Sequence, residues 1–518
     1  MKKFLASIIA VVLAVSGLSV ISITANAATI FISGNYEYTV NSDDTVNIAG
    51  YKGIATDITI PSQILNKNVV KISDNSFYNN STLTSVKIPN TIKVVGSMAF
   101  HNCTKLSKVT LPSNLTEIGY NAFEGTTALT TITIPKTVTT AGNNVFNGSA
   151  LKTAAIENGA TAVADNLFSN AKNLTKVTIP NTVKKVGSMS FYGCKSLSSV
   201  TLPNTLTEIG YSAFNGTTAL TTITIPKTVT KAGSDVFEDS GLKTATIENG
   251  ATAVADNLFS NAKNLTKVTI PNTVKKIGSM SFYSCKSLSS VTLPNTLTEI
   301  GYSAFDGTTA LTTITIPKTV TKAGIDVFED SGLKTAIIEN GATSVPNNLF
   351  SKATNLTQIT IPNTVKKIGS MSFYDCTKLS SVTLPNTLTS IETSAFKNCQ
   401  AMKSITIPKS VTYFGTTAVG YSDGRVIDGF IIYGYKNTKA QTYATKNKII
   451  FKALQEETVP VGDINNDGKI DVSDVTYLQM YLSGNSSYVI KNTKAADANG
   501  DGKIDVADVT KIQTIIAS

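Results

Sequence analysis

Residues 174–196 read LTKVTIPNTVKKVGSMSFYGCKS. Leu174, Val177 and Ile179 share one side of a short extended run, and Pro180, which has no amide hydrogen to give a ladder, ends it. Val183 and Val186 return to the interior, Gly187 turns the chain and Phe191 closes the unit. At Leu197 the pattern starts again. Openings at Leu83, Leu106, Leu129, Leu151 and Leu174 give steps of 23, 23, 22 and 23 residues, within the range of one solenoid coil. A longer period lies above this one. Leu83, Leu174, Leu265 and Leu356 open four modules of 91 residues, and the stretch ATAVADNLFSNAKNLTKVTIPNTVKK occurs unchanged at 160–185 and 251–276. Fifteen of the twenty phenylalanines fall in one column, from Phe77, Phe100, Phe123 and Phe146 to Phe373 and Phe396, as a stacked interior ladder requires. The fold class expected is a mainly β solenoid of about sixteen coils of 22–23 residues, roughly 75 Å long at a strand spacing of about 4.8 Å.

The recurring LTxxxIPxTVxxIGxxAF pattern resembles the bacterial surface-antigen subtype of leucine-rich repeat over nearly all of residues 57–420. The resemblance implies an architecture more than an activity. An open solenoid end exposes core and strand edge, so both ends need covers. YEYTVNSDDTVNIAGYKG (36–53) belongs to an expected N-terminal cap at 28–56, and IIYGYKNTKAQTYATKNKIIFKAL (431–454) to a C-terminal cap at 421–454.

Beyond a linker at 455–461, the composition changes. GDINNDGKIDVSDV from Gly462 is echoed by DANGDGKIDVADV from Asp497. Counting Asp463 as position 1, oxygen-bearing side chains fall at 1, 3, 5, 9 and 12 as Asp463, Asn465, Asp467, Asp471 and Asp474. Gly468 stands at position 6, and Lys469 offers its carbonyl at 7. This is the ligand spacing of an EF-hand calcium loop. The second loop repeats it with Asp497, Asn499, Asp501, Gly502, Lys503, Asp505 and Asp508. Both depart from the usual pattern by closing on Asp, not Glu. Each is followed by apolar residues at helical spacing, Val475, Leu478, Tyr481 and Leu482, then Val509, Ile512, Ile515 and Ile516. No comparable helix precedes the first loop. Residues 462–518 therefore resemble a type I dockerin, a small all-α module of two loop–helix units. That resemblance implies two bound Ca2+ ions and a cohesin domain of a scaffolding protein as partner. It also implies a contact surface at Val472, Ser473, Gln479 and Met480, or at the counterparts Val506, Ala507, Gln513 and Thr514.

The first 27 residues, with Lys2, Lys3, an apolar run and Ala25-Asn26-Ala27, read as a secretory signal peptide, which makes the expected location extracellular. No later stretch is apolar enough to insert in a membrane. The dockerin-like segment carries eight Asp against five Lys. Leaving it and Lys2 and Lys3 aside, 38 basic residues stand against 27 acidic ones, a net of about +11. Such an excess favours acidic partners or serves as a solvated surface. Nucleic acid is excluded as a partner because the lysines are not interleaved with stacking aromatics.

Chemistry finds little purchase in the repeats. Cys103, Cys194, Cys285 and Cys376 sit 91 residues apart, about 19 Å, and read as reduced core residues. Only Cys376 and Cys399 occupy adjacent coils, where a bridge is geometrically open. The single histidine, His101, stands in a column that holds Tyr192, Tyr283 and Tyr374, so it reads as a packing residue. Glu117, Glu208 and Glu299 are likewise about 19 Å apart, too far for a glycosidase pair. No GxSxG, HExxH or phosphate loop occurs. An outward column of threonines, Thr110, Thr133 and Thr178 among them, reads as ordinary wet-face strand residues. The expectation is a secreted, non-catalytic binding protein. Its dockerin would attach it to a cellulosome-type scaffold, and its solenoid would present a surface to an unidentified protein or glycan. The alternatives are a polysaccharide-degrading enzyme subunit and a free adhesin or protease inhibitor.

Overall fold

A computed structural model of the chain describes residues 29–455 and 460–518. The expected signal peptide and most of the expected linker lie outside the described residues. Each coil contributes a strand to one or both of two parallel ladders. In the coil read above these are Lys176–Thr178 and Lys185–Val186. Alternation places Val177 inward between exposed Lys176 and Thr178. After Pro180 the chain turns with the Val183 amide donating to the Pro180 carbonyl at 3.1 Å. Leu174, Val183, Val186 and Phe191 are fully buried.

The phenylalanine column is a continuous stack. From Phe77 to Phe396, neighbouring ring centroids lie 4.9–5.8 Å apart with planes 3–23° from parallel. Each ring is covered by the coil on either side, so the core is assembled only by stacking. Gly187 shows how close the coils approach: a Cβ there would meet Asp165 Oδ1 at 2.4 Å and the Val163 carbonyl oxygen at 2.6 Å.

The ladders are not continuous, and the sequence period says where they part. The second ladder splits between Thr140–Ala141 and Ala162–Val163, between Lys231–Ala232 and Ala253–Val254, and between Lys322–Ala323 and Ser344–Val345. These splits follow the 22-residue coil of each module. One residue too few puts the next coil out of register for the usual bond. Where Gly187 donates to Val163 across an intact step at 2.9 Å, the positions beyond the splits hold Ala164, Ala255 and Pro346. A proline is tolerated at 346 because no ladder hydrogen is required there. The Asn144 and Asp235 amides instead find the hydroxyls of Ser169 and Ser260, each at 3.0 Å.

The ends wind as turns too, so the solenoid has about eighteen, not sixteen. At the start, Phe31–Ser33 and Tyr36–Val40 pair antiparallel, and Val46–Tyr51 then joins Lys67–Ile72 in parallel. Residues 421–454 do more than break the period. Ile431–Gly434 and Ile450–Ala453 extend the first ladder, with helix α1, Lys439–Lys446, between them. Tyr443 of α1 stacks on Phe414 at 4.6 Å and donates to the Val419 carbonyl at 3.2 Å.

Residues 460–518 hold helices α2 (Val472–Leu482), α3 (Thr493–Ala496) and α4 (Val506–Ala517). Ile464, Val475, Leu478, Ala496, Ala498, Val509 and Ile512 form their own small core. One expectation needs correction. Tyr481 and Ile516, placed on the apolar faces by spacing, are 38 % and 36 % exposed, because the helices outrun a core only two turns deep. The two loop–helix units are present as expected, with the one-turn α3 added before the second loop.

Candidate calcium loops and docking face

Each loop runs directly into a helix, and the acidic residues do both jobs. Asp471 caps α2 by accepting from the Ser473 amide at 2.8 Å, while Asp474 accepts from the Asp471 amide at 3.0 Å. Asp505 and Asp508 repeat this reciprocal box at α4, with the Ala507 amide at 2.8 Å and the Asp505 amide at 2.9 Å. This capping role was readable as Asp-x-x-Asp before an apolar run, but the metal-ligand reading of the same residues obscured it. The Ser473 hydroxyl holds the Asp471 carboxyl below its usual range.

The remaining positions fold inward on the loop backbone. Asp463 is buried, and its two oxygens accept from the Asp467 and Gly468 amides at 3.1 and 3.0 Å. Asp474 is fully buried and accepts from Ile464 and Asn465 at 2.7 and 3.0 Å. Asn465 accepts from the Asp467 amide at 2.9 Å, and Asp467 from the Lys469 amide at 2.9 Å. In the second loop Asn499 and Asp501 match these at 2.9 Å each, with Lys503 as the donor to Asp501. Gly468 and Gly502 take φ of 83° and 86°, the left-handed turn that brings positions 1 and 5 together.

Among the described residues, no three His, Cys, Asp or Glu side chains converge at metal-binding distance. Most of the loop carboxylates accept from backbone amides. Asp497 Oδ1, at position 1 of the second loop, is buried with no hydrogen-bond partner. A buried anionic oxygen without a donor is costly unless a cation supplies the missing charge. With the all-oxygen donor set of each loop, this oxygen makes the residues a fit for a hard divalent cation.

The expected contact residues lie on the surface in a symmetric arrangement. Val472 and Val506 are the first residues of α2 and α4, and they are 68 % and 71 % exposed. Ser473, Ala507, Gln479, Gln513 and Thr514 are exposed, and Met480 is half-buried. Packing beneath the loops does not account for either valine.

In the repeats, the five cysteines are free and buried, including Cys376 and Cys399. Each donates to a phenylalanine carbonyl, as Cys194 does to Phe168 at 3.0 Å, and burial pushes Cys103 and Cys399 up to about 12. His101 stacks on Tyr78 at 4.9 Å and lies 3.3 Å from Glu124, with its Nδ1 making no well-directed hydrogen bond.

Comparison with known proteins agrees with both halves. The BspA type leucine rich repeat region matches residues 55–175, 161–289, 252–354 and 343–425, and the dockerin type I domain matches 461–516. No curated protein matches the chain. Among solved structures it is similar to a leucine-rich repeat protein from Bacteroides ovatus, at 24 % identity, 82 % of this chain, 100 % of that one and a TM-score of 0.46. A leucine rich cell surface protein from Faecalibacterium prausnitzii shares 30 % identity over 65 % of this chain and 96 % of its own, with a TM-score of 0.37. The repeat pattern, the stacked rings and the twin acidic loops thus agree on one assignment: the chain belongs to the BspA type leucine-rich repeat family and carries a type I dockerin domain.

Proposed function

We propose that the chain is a secreted, non-catalytic binding protein. Its dockerin loads two calcium ions and attaches it to a cohesin domain of a cellulosome-type scaffold, while the solenoid offers a recognition surface. The observation that carries the docking half is the symmetric exposure of Val472 and Val506 at the mouths of two like loops. Dockerin domains bind cohesin domains, and these valines supply an apolar centre for such a contact on either of two equivalent faces. The proposed ligands are Asp463, Asn465, Asp467, the Lys469 carbonyl, Asp471 and Asp474, and their counterparts Asp497, Asn499, Asp501, the Lys503 carbonyl, Asp505 and Asp508. Among the described residues no helix is long and apolar enough to cross a membrane.

Calorimetry of the calcium-loaded chain against a panel of cohesins tests this. Val472→Asp with Ser473→Asp places charge in one desolvated contact and leaves affinity largely intact if the second face serves. The mirror change at Val506 and Ala507 behaves alike, and the quadruple variant loses binding. Failure of every cohesin to bind the unaltered chain overturns the docking assignment.

A further inference from the structure

The second ladder carries an exposed aromatic at one place in successive modules. Tyr120, Tyr211 and Tyr302 each follow the glycine of an EIG turn and are 43 %, 50 % and 44 % exposed. They are 91 residues apart, four coils or about 19 Å. Beside Tyr302 the last ladder split opens a cleft of about 710 Å3, lined among others by Ser279, Lys322, Asn347 and Lys367. That volume is in the range of a ligand site.

Charge on this face is unevenly committed. Lys185, Lys276 and Lys367 are paired with Glu208, Glu299 and Glu392 at 2.9, 2.9 and 3.0 Å. Asp165 and Asp256 accept from the Ser188 and Ser279 amides, each at 2.8 Å. Lys184, Lys231, Lys275, Lys322 and Lys366 are exposed and stand outside the ion pairs among the described residues. Around Tyr211 and Tyr302 the lysines outnumber the carboxylates, whereas exposed Glu117 beside Tyr120 stands outside the ion pairs among the described residues. The module at 265–355 differs from that at 174–264 in only ten positions, and four of them, Ile325, Ser344, Pro346 and Asn347, fall on or beside the cleft. One of the four replaces Asp256 by Asn347 and so removes a negative charge.

We propose that this face binds a linear acidic polysaccharide of the uronate class. Sugar rings stack on Tyr211 and Tyr302, with Tyr120 extending the row, and carboxylates meet Lys231 and Lys322. The proposal rests on reading the solenoid as a recognition surface and names its ligand class. Sites repeating in line at one spacing suit a ligand that itself repeats, which a globular partner does not. An aromatic face offers the apolar flank of a sugar ring a flat surface, and the lysines select the acidic polymer over a neutral one.

The test is calorimetry of the full calcium-loaded chain with short oligogalacturonates of increasing length, alongside their methyl-esterified forms and polyglutamate. Acidic oligomers should bind, with affinity stepping up once the chain spans two tyrosines. Tyr211→Ala with Tyr302→Ala should weaken binding about tenfold, Tyr302→Phe should not, and Lys231→Ala with Lys322→Ala should flatten the salt dependence. Melting temperatures unchanged from the parent show that these surface variants remain folded. No binding, no length step, or equal binding of the neutral ester overturns the proposal. So does polyglutamate binding that ignores the tyrosine changes, since that marks a patch acting by charge alone. Cohesin titration on the same samples separates the readings, because docking that persists while oligogalacturonate binding is absent overturns this inference and not the dockerin assignment.

Discussion

Asp306 differs from its neighbours in kind. Its counterpart in the preceding module is Asn215. Partial burial, with Glu329 close by, raises its carboxyl from 3.8 to about 6, against a hydrogen bond from the Ser303 hydroxyl at 3.2 Å. The folded state therefore holds the proton more tightly than the unfolded chain. Protonation favours the fold as pH falls from about 6 toward 3.8, and ionised Asp306 weakens it above about 6. Asp306→Asn should thus be the more stable protein at pH 7, by about 0.5 kcal/mol after solvent screening. The gap should close below pH 4. Thermal melts of the pair from pH 4 to 8 check this, and a constant offset would mean the carboxyl does not carry the effect. Asp306 was invisible as a special residue in the sequence, because its burial depends on which side chains the next coil places over it. The phenylalanine column was legible for the opposite reason: an inward residue in a repeated coil meets its own copies.

At the scale of the coil, the 22-residue step was plain in the sequence, but its consequence was not. Losing one residue shifts only the next coil's register, and whether a ladder stretches or parts depends on backbone contacts such as Gly210 to Val186 at 2.8 Å. Ala255→Pro, at a split, should therefore change the melting temperature little, as Pro346 already shows for its counterpart. Gly210→Pro, in an intact step, should cost about 3 kcal/mol or more through the lost bond and a backbone clash. Paired denaturant titrations distinguish the two. The dockerin supplies a second expectation at this scale. Eight Asp in residues 462–518, with Asp497 Oδ1 buried and unpartnered, make its small core depend on cation. Chelator should lower the helical circular dichroism of α2 and α4, and added calcium should restore it. A spectrum indifferent to chelator would contradict the assigned loops. The ligand pattern was readable because side-chain spacing alone specifies it. Helices α1 and α3 were not, because α3 is one turn long and α1 is held by packing of Tyr443 and Ala444, not by a marked sequence period.

Across the whole molecule, repetition made the architecture the most legible feature, and the turn count fell short only because both ends wind without the motif. The same repetition has a mechanical consequence. Under tension along the solenoid axis, coils joined only to their neighbours part where cross-links are fewest. The ladder splits recur every 91 residues. Pulled between its ends, the solenoid should therefore fail in instalments, each releasing one module's contour, roughly 310 Å at about 3.4 Å per residue. Single-molecule force spectroscopy would show a sawtooth at that increment, whereas increments of one coil, roughly 78 Å, would mean the splits are no weaker than the steps between them. The fuse in each module would then be the step where the first ladder parts, as between the coils opened by Leu197 and Leu220, whose only ladder strands in register are Glu208–Ile209 and Lys231–Ala232; the short coil keeps four first-ladder pairs, Ile132 to Ala154 among them.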